Sequence, residues 1–516
     1  MSYMHPGVYI EEIPSGLKPI SGVATSVAAF IGFTAKGPLN EPARIGNWGD
    51  YASEFGGIRD TGKEPDGDPM GHTVAAFFQN GGANAYIVRI AHDDAVKADG
   101  YIDHPNPTDP DPTKPIAFKF SAINKGEWGN GLVVVLSPTE VDPNLYTVEI
   151  GRKDDEGAFS ALETFNNVSM VDTDPQYIEG VLNGASELVD VMSTTVSDIT
   201  SDSGSGQVLE TTLGAGDDGT APVLADYQTV FTTLVKYRDI TMLSLPGKAW
   251  DADGKPALSA AIAHAEKMKN CLVFIDPPAS KELESAVDVA ALGLPTSTYT
   301  VLYYPWVKVA NPHFDAERNP GVPRTVLVSP SGFAAGMWSK IDGRRGVWKA
   351  PAGVETSLLG LADLEYRITD GDQDQLNPLG VNCLRALPNY GAVIWGARTL
   401  ATNANPEWRY VPVRRTAIMI EQSTYEGLQW VVFEPNDQRL WSSLRLNIES
   451  FMGGLFRAGA FQGEKASDAY FVRCGLGDTM TQGDIDRGQV IVVIGFAPLK
   501  PAEFVIIRIQ QKLGKQ

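Results

Sequence analysis

The sequence has little cysteine and little histidine, with three Cys and six His in 516 residues. Cys271, Cys383 and Cys474 are odd in number and widely spaced, which excludes a disulfide framework and a cysteine metal knuckle. They read as reduced, buried thiols. No two histidines form a His-x-x-x-His pair, so a helical zinc site is not encoded. No Gly-x-x-x-x-Gly-Lys-Ser/Thr loop occurs, which excludes an ATPase of the P-loop kind. No apolar run approaches the roughly 18 residues needed to cross a bilayer. The first residues, Met1-Ser2-Tyr3-Met4-His5-Pro6-Gly7, place no basic leader before an apolar core, so no secretion signal is expected.

Basic charge is scarce in one stretch only. The net charge is −21, and residues 91–220 hold 24 acidic against 6 basic side chains. From Val381 to the end the balance reverses to 15 basic and 12 acidic. A strongly like-charged segment repels copies of itself and stays solvated, whereas a near-neutral body can pack densely. The division suits an oligomer with an acidic outward lobe and lacks the basic face that nucleic acid requires.

Hydrophobic content of 43% and charged content of 20% are those of a globular chain of about three domains. Residues 1–21 read as an arm: Val8-Tyr9-Ile10-Glu11-Glu12-Ile13 is a short strand between Pro6 and Pro14 that must join some sheet. Residues 22–91 carry a small-residue strand from Val23, a short helix near Tyr51, a buried helix from His72 to Gln79 and a strand Ala85–Ile90. Residues 92–224 form an inserted, acidic, mainly β domain; its start, His92 to Pro115, reads as loop, and Ser201 to Gln207 as Ser/Gly-rich spacer. Residues 225–375 alternate apolar strands (Ile240–Gly247, Cys271–Asp276, Tyr299–Tyr304) with helices (Ala257–Met268, Lys281–Leu292, Ser331–Ile341). That pattern implies a parallel sheet covered on both faces. Residues 376–500 form a mixed α+β domain. In it we expect a strand at Trp395–Leu400, a second holding Arg414 and Arg415 on alternate faces, a helix from Asp437 to Ala460, and a strand Gly488–Ile494. The helix places Leu440, Leu444, Ile448, Phe451, Leu455 and Phe456 on one stripe. Residues 501–516 form a second arm, with a strand Glu503–Gln510.

Catalytic signatures are weak. Asp60-Thr61-Gly62 and Gly71-His72-Thr73 echo acid and base segments of a serine protease, but no nucleophile segment follows and no Gly-x-Ser-x-Gly turn occurs. Asp370, Asp372 and Asp374 alternate as in a calcium loop, yet Gln375 stands where glycine is needed and Val381 where the closing glutamate is needed. An enzyme on the parallel sheet would show itself as a titratable cluster near Asp276, Tyr304 and Ser329.

Several short motifs follow one another along the chain. They are Pro6-Gly7-Val8-Tyr9-Ile10-Glu11-Glu12, Gly37-Pro38, Asn80-Gly81-Gly82 before Ala85–Arg89, Glu127-Trp128-Gly129-Asn130, and Phe165-Asn166-Asn167. Above all come Val393-Ile394-Trp395-Gly396-Ala397-Arg398-Thr399-Leu400, Trp408-Arg409-Tyr410-Val411-Pro412-Val413-Arg414-Arg415, and Ile494-Gly495-Phe496-Ala497-Pro498-Leu499. The set resembles contractile tail sheath proteins of phage tails and phage-tail-like injection systems.

The resemblance implies a subtilisin-like topology for the middle domain without catalysis, since fold alone carries no chemistry. It implies a structural subunit that polymerises as stacked, hexameric rings, contracts from a metastable extended state, and drives an inner tube through a target envelope. The expected partners are other copies of the chain, the inner tube protein, and baseplate and terminal cap proteins, with no nucleic acid, membrane insertion, cofactor or metal. Assembly is expected in the cytoplasm, within a phage tail or a released particle. The arms would exchange strands with neighbours through Val8, Tyr9, Ile10, Glu11, Glu12 and Ile13, and through Phe504, Val505, Ile506, Ile507, Arg508 and Ile509. The alternative is that each arm pairs within its own chain. Arg439, Arg445 and Arg457 on the long helix are candidates to face an acidic tube, or else to form a solvated face or salt bridges between subunits. The competing readings are an enzyme, and another self-assembling module such as a capsid or surface-layer protein.

Overall fold

The continuous apolar runs of the sequence lie side by side in one eight-stranded sheet. The computed structural model describes residues 19–61, 67–104, 116–139, 145–154, 156–194, 208–401, 405–504 and 506. Strands β1 (Val27–Gly32), β2 (Ala43–Ile45) and β3 (Asn84–Arg89) come from the N-terminal part of the chain. From the middle come β4 (Met242–Ala249), β5 (Leu272–Asp276) and β6 (Thr300–Tyr304). Two more follow, β7 (Val381–Leu387) and β8 (Gly391–Ile394), and the order across the sheet is β8-β7-β6-β5-β4-β1-β3-β2. Pairing is parallel from β7 to β3 and antiparallel at the two outer strands. Every residue of β1, β5 and β6 is buried. Because successive side chains point to opposite faces, this means that both faces are covered.

The covering helices include α1 (Pro69–Gln79), α2 (Gly254–Met268) and α3 (Pro330–Arg345). Asp68 caps α1 by accepting from the Gly71 N–H, and Pro69 occupies the first turn, where its missing N–H costs nothing. Residues 330–339 of α3 are all buried, as expected of a helix enclosed on every side. The boundary expected at 375/376 runs through this unit, because β7 and β8 from beyond it complete the sheet.

Between β3 and residue 224 the chain builds a second unit with its own apolar core, centred on Phe118, Phe120, Val134, Val148 and Ile150. A four-stranded sheet orders the strands Leu209–Thr212, Leu132–Pro138, Leu145–Lys153 and Phe159–Ser169; a three-stranded one orders Asp99–His104, Ile116–Ala122 and Val189–Thr194. The strand Asp99–His104 corrects the expectation of unbroken loop from His92 to Pro115. Its Asp and Pro content masked the pairing with Ile116–Ala122. The segment Ser201–Gln207 lies outside the described residues.

The C-terminal part departs most from expectation. The strand expected at Trp395–Leu400 is not formed: β8 ends at Ile394, and of that segment only Arg398 makes a single bridge, to Tyr410. The supposed strand holding Arg414 and Arg415 is instead helix α4 (Val411–Gly427), with Pro412 in its first turn. The helix expected from Asp437 is α5 (Gln438–Arg457), capped by the Asp437 carboxylate, which accepts from the Arg439 and Leu440 N–H groups at 2.9 Å each. Leu440, Leu444 and Ile448 are buried, and Phe451, Leu455 and Phe456 are half-buried beside them. Two short strands, β9 (Tyr470–Arg473) and β10 (Val493–Phe496), pair antiparallel; the second lies later than the expected Gly488–Ile494. Cys271, Cys383 and Cys474 are free and buried. Among the described residues no helix is long and apolar enough to cross a membrane.

Candidate functional site

Asp276, Tyr304 and Ser329 stand at or near strand ends of the central sheet and its neighbour. Asp276 ends β5, and its carboxylate accepts from the Ser331 hydroxyl at 2.6 Å, both groups buried. Burial pushes the Asp276 carboxyl up to about 6. A nucleophilic serine needs a histidine within hydrogen-bond reach, and three of the described histidines have other partners. His92 Nδ1 meets Asp226 at 3.0 Å, His313 Nε2 meets the Ile58 carbonyl at 3.0 Å, and His264 stacks on Phe231. His72 is buried beside Gly67, and burial, with His313 nearby, lowers its imidazole to about 4. The Ser331 hydroxyl is thus partnered by Asp276 and not by one of these histidines. The Tyr304 hydroxyl accepts from the Leu283 N–H at 2.9 Å. Among the described residues no group of three or more His, Cys, Asp or Glu side chains is placed to hold a metal ion.

The Arg-rich motifs, by contrast, meet at the junction between the central sheet and the C-terminal part. Arg414 and Arg415 are both buried on α4. The Arg414 guanidinium lies against the Tyr299 ring at 4.3 Å and the Trp408 ring at 4.5 Å, and donates to the Tyr299 hydroxyl. Arg415 lies over Trp338 at 4.5 Å, donates to both carboxylate oxygens of Asp342, and donates to the Thr25 carbonyl at 2.9 Å. The Thr25 hydroxyl completes the set by donating to Asp342 at 2.7 Å. Nearby, the Val23 N–H donates to Ser423 Oγ on α4 at 3.0 Å, and Ile20 packs so closely on Gly427 that a Cβ there would sit 2.8 Å from it. Residues 20–25 are thereby seated on α3 and α4. Burial raises the Asp342 carboxyl while the Arg415 charge opposes it, which keeps this an ion pair in a dry setting.

Arg398 anchors the other end of the chain. Its Nε donates to Glu503 at 2.9 Å, one Nη to the second Glu503 oxygen, and the other Nη to the Asn377 carbonyl at 3.0 Å. Tyr410 donates its hydroxyl to the same carboxylate at 3.1 Å. Beyond Glu503, Phe504 is 75% and Ile506 79% exposed, and neither stands in a strand. The candidate arm residues Val505, Ile507, Arg508 and Ile509, and Val8, Tyr9, Ile10, Glu11, Glu12 and Ile13, lie outside the described residues. A groove of about 1060 Å³ opens where this segment leaves, lined in part by Trp348, Lys349, Trp395, Arg398 and Phe504.

On α5 the three candidate arginines part company. Arg439 and Arg457 are exposed, whereas Arg445 donates to the Cys474 carbonyl and to Ser442 Oγ, which ties it into its own chain. The partners Asp342, Glu503, Thr25 and Tyr410 escaped the sequence reading. Separations of 73 and 105 positions between arginine and carboxylate leave no local spacing to detect.

A model of the phage tail sheath protein central domain matches residues 224–400, and one of the phage tail sheath C-terminal domain matches residues 403–512. Together these cover more than half of the chain, and the chain belongs to the phage tail sheath family. The tail sheath protein of Burkholderia phage BcepMu is 29% identical over 207 residues, which is 38% of this chain and 41% of that protein. The match therefore spans less than half of that relative's length. A sheath subunit from the contracted PVC extracellular contractile injection system shares the fold with a TM-score of 0.59 and 23% identity, over 99% of both chains. A chain from the baseplate structure of the anti-feeding prophage superposes with a TM-score of 0.56 and 25% identity, over 99% of this chain and 100% of that one.

Proposed function

We propose that this chain is the structural subunit of a contractile sheath, stacked as hexameric rings around an inner tube and joined to a baseplate and a terminal cap. Its middle domain is subtilisin-like in topology and performs no catalysis and holds no cofactor; the work of the assembly is mechanical. The subunit is made and assembled in the cytoplasm and leaves it as part of a phage tail or phage-tail-like particle. The acidic lobe points outward. Arg439 and Arg457, free of the ties that hold Arg445, are the better candidates to face the tube.

The observation that carries this reading is the small sheet β9–β10 in a chain of the sheath family. It has two strands, and neither has a second partner among the described residues. A two-stranded sheet is marginal alone and offers unpaired N–H and C=O groups at both edges. Arms from neighbouring copies fit that need, since strand addition supplies main-chain hydrogen bonds and leaves the bodies free to rotate. Contraction then needs only a modest gain in contact per subunit, on the order of a few kcal/mol, because many copies add.

Negative-stain electron microscopy tests this. Purified chain should form hollow striated cylinders, and chain lacking Met1 to Ile13 should stay folded by circular dichroism while failing to polymerise. Discrete monomers from the intact chain under all salt conditions would sink the sheath reading; normal contractile cylinders from the truncated chain would sink strand exchange alone.

A further inference from the structure

We infer that Arg398 and Glu503 form the root of the C-terminal arm and route the load on that arm into the central sheet, bypassing the domain built around β9 and β10. The inference rests on the sheath reading above for its functional consequence, but its geometry stands apart from it.

The chain of contacts is continuous. Asn382 in β7 is fully buried and holds Arg398 from both sides of its backbone: the Arg398 N–H donates to Asn382 Oδ1 at 2.7 Å, and Asn382 Nδ2 donates to the Arg398 carbonyl at 2.8 Å. Asn382 Nδ2 also donates to the Leu302 carbonyl of β6 at 3.0 Å, so the amide is locked into the sheet. Arg398 then grips Glu503 with two nitrogens, and Tyr410 adds a third donor. A two-pronged guanidinium–carboxylate contact fixes direction as well as distance. The side chains of Arg398 and Glu503 are only 8% and 16% exposed, which separates this pair from the solvent-screened surface pairs that contribute little. Lys500 and Ala502 before Glu503 are exposed, as are Phe504 and Ile506 after it, so Glu503 is the inward-held residue of this segment. Glu503 is the last residue whose side chain is held by hydrogen bonds among the described contacts.

Before Glu503 the last main-chain ties are Ala497 N–H to the Ala469 carbonyl at 2.8 Å and the bridge between Phe461 and Pro498. No backbone hydrogen bond holds residues 499–503 among the described contacts. Without the Glu503 carboxylate the root slides back to Pro498, and the five freed residues add up to about 17 Å of reach at the extended rise per residue. A tether longer by that much no longer couples one subunit body tightly to the next.

Glu503→Ala and Glu503→Gln test this in the full chain. A nitroxide on Ala502→Cys reports the root directly; the three native cysteines are buried and compete poorly for the label. In the parent the label should show a slow-motion spectrum. Glu503→Ala should convert it to fast motion, and Glu503→Gln, which keeps one acceptor, to an intermediate one. Unchanged thermal unfolding would show that the body is intact, and unchanged label motion in both variants would overturn the root. Cylinders of Glu503→Ala should lose the sharp axial repeat of the parent or break into single rings. An identical repeat would overturn the load path. Absence of cylinders from the parent would count against the sheath reading only, since the label result is independent of assembly.

Discussion

Asp276 and Asp342 are two buried aspartates with opposite surroundings. Asp342 faces the Arg415 guanidinium, so removing either partner leaves a charge in a dry site. Asp276 has the Ser331 hydroxyl and, among the described residues, no cation, and burial lifts its carboxyl from 3.8 to about 6. The folded chain thus binds this proton more tightly than the unfolded chain. The ionised form lowers stability fully above pH 6, and below the unfolded value of 3.8 the penalty is absent. Asp276→Asn keeps an acceptor for Ser331 and removes the charge. We expect it to stabilise the protein at pH 7.5 by on the order of 1–3 kcal/mol and to give no gain at pH 3.5. Urea midpoints at the two pH values check this; an equal gain at both would show that titration of Asp276 is not the cause.

At the scale of elements, α1 and α3 pack through glycines. A Cβ at Gly332 would stand 2.4 Å from the Thr73 carbonyl oxygen, and one at Gly336 2.4 Å from the Phe77 carbonyl oxygen. Both targets are backbone and cannot rotate away. Alanine gains about 1 kcal/mol of helix propensity over glycine. Forcing two packed helices apart costs typically 1–3 kcal/mol. Gly336→Ala should therefore lower the melting temperature, and a rise would mean the helices part without strain. The same scale explains the misread α4. Val411, Val413, Thr416 and Ile418 favour a strand by local propensity, a weak prior that packing overrides. Asp342 and Tyr299 supply the buried partners that let Arg414 and Arg415 sit inside a helix.

For the whole molecule, the acidic unit is separable by construction. It has its own core, and its two connecting segments are paired: the Val96 N–H donates to the Asp217 carbonyl at 3.0 Å and the Asp217 N–H to the Val96 carbonyl at 3.2 Å. Residues 96 and 217 are therefore neighbours, and a short Gly-Ser link in place of residues 97–216 closes the gap. We expect that shortened chain to fold and still form cylinders, as judged by circular dichroism and electron microscopy. Loss of folding would show that the central sheet depends on the acidic unit.

The sequence by itself determined the apolar strands β1 and β4 to β6, helices α1 to α3 and α5, the concentration of acid in one unit, and the family. Each of these is written in residues close along the chain, where hydrophobic period, caps and ordered motifs can be read locally. Only the tertiary structure decided that β1 and β3 from the start and β7 and β8 from beyond residue 375 share a sheet with the middle of the chain. It alone joined Arg398 to Glu503 and Arg415 to Asp342 and Thr25. The physical reason is that a buried guanidinium takes whichever carboxylate packing brings within reach, and that choice depends on the free energy of the whole fold, not on any spacing in the sequence.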